Sequence, residues 1–158
     1  MPHQGELFIP TYSKSKPRVY FGLENTPADE VAASERMVRF KMRATGEHKI
    51  GVYAAATTGR IGYIYSAGNR HALIVRNFSV NPSGEYADVP WTETNDKGYS
   101  VQACSVNSKW GMFSELEYHV PAIGGSTGQV YVEDRSQLWA FRGSKEAIQQ
   151  IASRLLGI

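Results

Sequence analysis

Between Ala33 and Ala44, apolar Val38, Phe40 and Met42 alternate with basic Arg39, Lys41 and Arg43. A period of two sends successive side chains to opposite faces, so this stretch predicts a strand with one buried face and one basic face. Ala32, Arg36, Met37 and Lys41 favour helix and keep a helix open as the competing reading. Strand-like runs recur at short intervals over Lys49–Ala55, Arg60–Tyr65, His71–Val80, Tyr99–Val106, Phe113–Val120 and Gln129–Phe141. Between them lie turn formers such as Thr57-Thr58-Gly59, Ala67-Gly68-Asn69, Asn81-Pro82-Ser83-Gly84 and Gly124-Gly125-Ser126. Strands joined by turns rather than helices predict a mainly β protein, an antiparallel β-sandwich or barrel.

The two ends differ from this pattern. Residues 1–17 are rich in proline and read as an irregular N-terminal arm, with Glu6–Ile9 and then Arg18–Phe21 apolar enough for short strands. At the other end Ile148, Ile151, Ala152 and Leu155 recur at helical spacing, which predicts a C-terminal helix over residues 144–156. Ser144 supplies its N-cap, Glu146 suits its first turn and Gly157 stops it.

Composition narrows this further. A chain of 158 residues fits a single domain and can bury a core without a disulfide or metal. Its 17 basic and 15 acidic residues nearly cancel, which gives no electrostatic case for nucleic acid. The single cysteine, Cys104, excludes an internal disulfide framework and a multi-cysteine zinc site, and its mid-strand position predicts a buried, inert thiol. No basic segment leads into an apolar one at the start, and no run reaches the ~18 apolar residues of a membrane span. The expectation is a cytoplasmic protein without membrane association.

Candidate chemistry concentrates between Trp110 and Ala122. On a strand, Phe113, Glu115, Glu117 and His119 share one face, with Ser114, Leu116, Tyr118 and Val120 on the other. Two carboxylates and an imidazole in a row suit general acid–base catalysis. The competing reading is the polar outer face of an amphipathic strand. The same three residues would suit a divalent metal but lack a second histidine, and no metal or other cofactor is expected. His71, opening a strand, could line an end of the sandwich. Trp91, Trp110, Tyr86 and Tyr99 are rings that could stack on a sugar or pack as core. Arg39, Lys41 and Arg43 read as a solvated face rather than an anion site.

A further pattern runs along the chain. Tyr20-Phe21-Gly22, Phe40-Lys41, His48-Lys49-Ile50-Gly51, Val89-Pro90-Trp91-Thr92 and Asn95-Asp96-Lys97-Gly98 come in order before Glu115-Leu116-Glu117, Pro121-Ala122, Phe141-Arg142-Gly143 and the C-terminal helix. Over roughly residues 18–158 this succession resembles the C-terminal half of a bacterial family of galactose-mutarotase-like super-β-sandwich proteins. The resemblance implies a carbohydrate-binding sheet, with Glu117 matching the glutamate that removes a proton from the anomeric hydroxyl. Glu115 would assist and His119 would serve as the acid, while Trp91, Arg76 and His71 are substrate-binding candidates. The histidines of the mutarotases lie in the half that this chain does not match, so His119 inherits no role by motif. The half-length match also implies a homo-oligomer or a partner subunit. The function expected is sugar binding with epimerisation, anomerisation or elimination; the alternative is a non-catalytic carbohydrate-binding or assembly module.

Overall fold

The computed structural model describes residues 4–22, 30–42, 47–90 and 92–158. Among them, ten strands form two antiparallel sheets, followed by a single C-terminal helix. The strands are β1 (Gly5–Pro10), β2 (Arg18–Phe21), β3 (Val31–Ala33), β4 (Met37–Met42), β5 (His48–Tyr53), β6 (Arg60–Ala67), β7 (Arg70–Phe78), β8 (Tyr99–Ser108), β9 (Gly111–Tyr118) and β10 (Ser136–Gly143), and α1 spans Lys145–Leu156. The larger sheet has the order β10-β7-β6-β1-β4-β3 and the smaller β2-β5-β8-β9. This is the β-sandwich that the alternation of the sequence predicts.

The alternating residues of β4 behave as their period requires. Val38, Phe40 and Met42 are buried and meet Ile50, Val52, Val101 and Ala103 of the smaller sheet in the inter-sheet core. The other face of the larger sheet packs on α1, where Phe8, Met37, Leu73 and Val75 meet Ile148, Ala152 and Leu156. The helix begins as its sequence dictates, with Ser144 Oγ accepting from Ala147 N at 3.2 Å, and ends at Gly157 in the left-handed region at φ 76°. Gly62 on β6 lets this helix lie close, because a Cβ there would stand 2.2 Å from Leu156 Cδ1.

The N-terminal segment is the main correction to the expected architecture. The short strand read over Glu6–Ile9 is present as Gly5–Pro10, but it is not part of an irregular arm: it pairs with β4 on one side and β6 on the other, in the middle of the larger sheet. Pro10, at the strand's last position, does not interrupt the ladder, and Leu7 and Ile9 are fully buried. The stretch 33–44 holds strand rather than helix over Met37–Met42, with Val31–Ala33 folding back as a separate edge strand. The strand expected from Gln129 begins only at Ser136. Among the described residues, no helix is long and apolar enough to cross a membrane.

Candidate acid–base site

Glu117 stands on β9 directly opposite Gln102 of β8, which in turn faces Gly51 of β5. The neighbouring row is Glu115, Cys104 and Lys49. Side chains at these positions share the face of the smaller sheet that points away from the inter-sheet core. Residues 79–90 cross that face and seal part of it. Its Asp88 carbonyl accepts hydrogen bonds from Tyr20 OH at 3.0 Å and from Gln102 Nε2 at 2.9 Å. Gly51 is needed beneath, since a Cβ there would meet the Tyr20 ring at 2.8 Å and the Tyr99 ring at 3.0 Å.

Lys49 is the electrostatic centre of the cluster. Its Nζ donates to Asp88 Oδ2 at 2.7 Å and to Glu117 Oε2 at 3.3 Å, and it lies 5.5 Å from the centre of the Tyr20 ring. His119 continues β9 by donating its backbone N–H to Ser100 O at 2.8 Å. Its Nε2 lies 3.3 Å from Glu117 Oε2, close enough for charge attraction but not aligned as a hydrogen bond. Burial on its own pushes the Glu117 carboxyl up; His119 and Lys49 outweigh it and hold the group below the usual glutamate range. Burial also opposes the charge on Lys49, yet Asp88 and Glu117 prevail and raise its pKa. The result is a half-buried carboxylate, ionised at neutral pH, beside a fixed ammonium.

Three polar atoms in this cluster have no hydrogen-bond partner among the described residues: Glu117 Oε1, Gln102 Oε1 and His119 Nε2. Two of them are acceptors only, so the cluster calls for hydrogen-bond donors. Asp88, Glu117 and His119 could hold a cation, with ligand atoms within 4.8 Å of one another. The Lys49 ammonium already supplies the positive charge there.

The candidates named from sequence do not all gather here. Glu117 and His119 are together, whereas Glu115 is exposed, one row away, and Asp88 supplies the second carboxylate of the cluster. His71 lies on the helix side of the larger sheet, in a recess of about 620 Å³ shared with Phe8, Arg39 and Ile148. Arg76 belongs to the other face of that sheet, stacked over Tyr118 at 5.0 Å. Trp91 lies outside the described residues, as does Arg43 of the basic row. Of the other rings, Tyr86 and Tyr99 are buried, and Trp110 projects from the β8–β9 turn with 82% of its surface exposed. Arg39 pairs with Glu6 at 2.6 Å. Nothing in the chemistry of the sequence singles out Lys49, Asp88, Tyr20 and Gln102; Lys49 and Tyr20 fall within short pieces of the mutarotase-like pattern.

The profile of the Family of unknown function (DUF6786) matches residues 3–158. The chain belongs to this family. No curated protein and no solved structure matches the chain significantly. The DUF6786 match spans both sheets and the helix, so it takes in every residue of the Lys49 cluster.

Proposed function

We propose that this DUF6786 chain is a mutarotase-like carbohydrate-binding protein in which Glu117 is the general base on a sugar hydroxyl. The observation that carries the reading is the state of Glu117, held ionised between Lys49 and His119 with Oε1 unpartnered. That oxygen is ionised and can take the proton of the anomeric hydroxyl, as a base weaker than an unperturbed glutamate. His119, when protonated, supplies a proton to the ring oxygen, and the ring opens and recloses on its other face. Gln102 Oε1 adds an acceptor for a neighbouring hydroxyl, as a polyol ligand would use. Glu115, exposed and outside the cluster, has no direct part in this scheme.

A panel of reducing sugars followed by NMR, read for both anomeric exchange and chemical turnover, tests the proposal. Glu117→Gln keeps the shape and removes the base, so the catalysed rate is expected to fall by about 10²–10⁴-fold while the thermal transition survives. A Gln variant as fast as the wild type overturns the catalytic role. The second reading, a binding module without catalysis, is favoured by the enclosure of Glu117 Oε1 and His119 Nε2, each buried from solvent. It predicts sugar binding that Glu117→Gln leaves unchanged and no turnover in either protein.

A further inference from the structure

Among the described residues the edge strands are β10 and β3 in the larger sheet and β2 and β9 in the smaller. An open edge invites pairing with another chain, and proteins protect such edges by keeping them short, bulged or charged. Three of these edges follow the rule. β3 has three residues, β2 has four with a shift in register between Val19 and Phe21, and β9 carries Glu115 and Glu117. β10 does not follow it. It pairs with β7 over its whole length without a bulge, holds no proline or lysine, and has Arg142 as its one charge.

The direction of the backbone groups on β10 follows from its neighbours. Phe78 N donates to Gly59 O at 2.9 Å at one end of the β6–β7 ladder, and Ala67 faces Arg70 across a tight turn at the other. The even-numbered residues of β7 therefore bond to β6 and the odd-numbered ones to β10. Leu73 faces Phe141 and Val75 faces Trp139, so the odd-numbered residues of β10 are those bonded to β7. The N–H and C=O groups of Leu138, Ala140 and Arg142 point away from the sheet. Residues 136–140 are all exposed. Leu138, on the face towards the smaller sheet, keeps 62% of its surface exposed, and Trp139, on the face that carries α1, keeps 45% and stacks on Phe141 at 6.3 Å.

We infer that β10 is a dimer interface, in which the same strand of a second copy pairs with it antiparallel about a two-fold axis and joins the two larger sheets into one. An antiparallel edge is its own complement, and among the described residues β10 is the edge that matches β10 in length without a bulge or an acidic pair. With Leu138, Ala140 and Arg142 directed outward, the pairings of longest overlap place the two-fold at Trp139 or at Ala140. Trp139 then faces Trp139 or Phe141 of the second copy, an aromatic pair in either register. Arg142 faces Ser136 or Leu138 of the second copy, so no like charges are opposed. Pairing uses up the long edge, and assembly closes at two chains. One strand pair is small beside an obligate interface, which sets the dissociation constant on the order of 10 μM. The interface belongs to the larger sheet and does not rest on the sugar-binding proposal.

Sedimentation of the intact chain from about 1 to about 200 μM should show the mass rising from one chain towards two. Over the same range hydrogen exchange should slow at the amides of Leu138, Ala140 and Arg142, while those of Trp139 and Phe141, bonded to β7, stay protected throughout. Ala140→Pro removes an outward N–H at a position where an edge strand accepts proline, and Leu138→Lys brings a like charge towards Arg142 of the second copy. Each should weaken association about tenfold or more with the circular dichroism spectrum unchanged, because the change enters a two-fold interface twice. A single-chain mass at the highest concentration overturns the proposal. So does a dimer that leaves the β10 amides unprotected, or one that both variants leave as tight as the wild type. Should either variant misfold, exchange in the wild type decides. Assemblies larger than two chains would overturn the closed pairing.

Discussion

Replacing Lys49 with methionine removes the one charge that reconciles Asp88 with Glu117. The side chain of Lys49 is 14% exposed and that of Glu117 23%, while Asp88, at 37%, is better solvated. Breaking a fully buried pair costs about 3–5 kcal/mol, and an exposed one contributes about 0–1 kcal/mol. This mostly buried pair falls between, at about 2 kcal/mol, with Asp88 adding little. At a urea slope of about 2 kcal/mol per molar, the unfolding midpoint at pH 7 should drop by about 1 M. The loss also depends on pH, with a definite sign. Glu117 is depressed in the folded protein, so its contribution is full above the unfolded glutamate value of about 4.3 and is lost as the pH falls through the lower folded value. Without Lys49, burial is opposed by His119 alone, so the depression weakens and that contribution shrinks. The gap between wild type and Lys49→Met should therefore narrow as the pH falls below about 4, whereas Lys49→Arg should recover most of the stability at pH 7. A gap that stays constant from pH 7 to pH 3, or an arginine variant as weak as the methionine one, would refute the reasoning.

Other substitutions probe the scaffold. Gly62→Ala forces a Cβ into Leu156 and should cost about 1–3 kcal/mol in chemical denaturation, with the cost relieved when Leu156→Ala is added. Ser144→Ala removes the helix cap and should lower stability by about 1 kcal/mol, seen as a lower midpoint by circular dichroism. Cys104 is buried and its thiol is pushed up to about 11 by that burial. It should react with a thiol reagent at pH 8 only on unfolding; rapid stoichiometric labelling of the native protein would contradict this.

Periodicity carried the fold a long way because each half-buried strand must alternate. Val38, Phe40 and Met42 on β4 and the stripe of α1 are cases where one burial direction determines the pattern. The N-terminus was harder to read: Gly5–Pro10 is short and ends in proline, and only its two neighbours, from distant parts of the chain, make it a central strand. For the site, period two alone places Glu115, Glu117 and His119 on one face. It cannot say which of them is covered, because the cover is the irregular stretch 79–90. Lys49 lies 68 residues from Glu117 and 39 from Asp88, so their meeting follows from sheet order and loop path rather than from local spacing.

The crossing of residues 79–90 beside Glu117, whose Oε1 is buried from solvent, has a kinetic consequence for the proposed function. If a sugar reaches Oε1 only when the contact between Asp88 and Lys49 opens, the protein that binds is a minority of the population. The observed dissociation constant then equals the intrinsic one divided by the fraction open. If opening is slow relative to capture, the rate of approach to equilibrium levels off at the opening rate as ligand concentration rises. Asp88→Asn, which loosens that contact without touching the base, would raise the plateau and tighten apparent binding together.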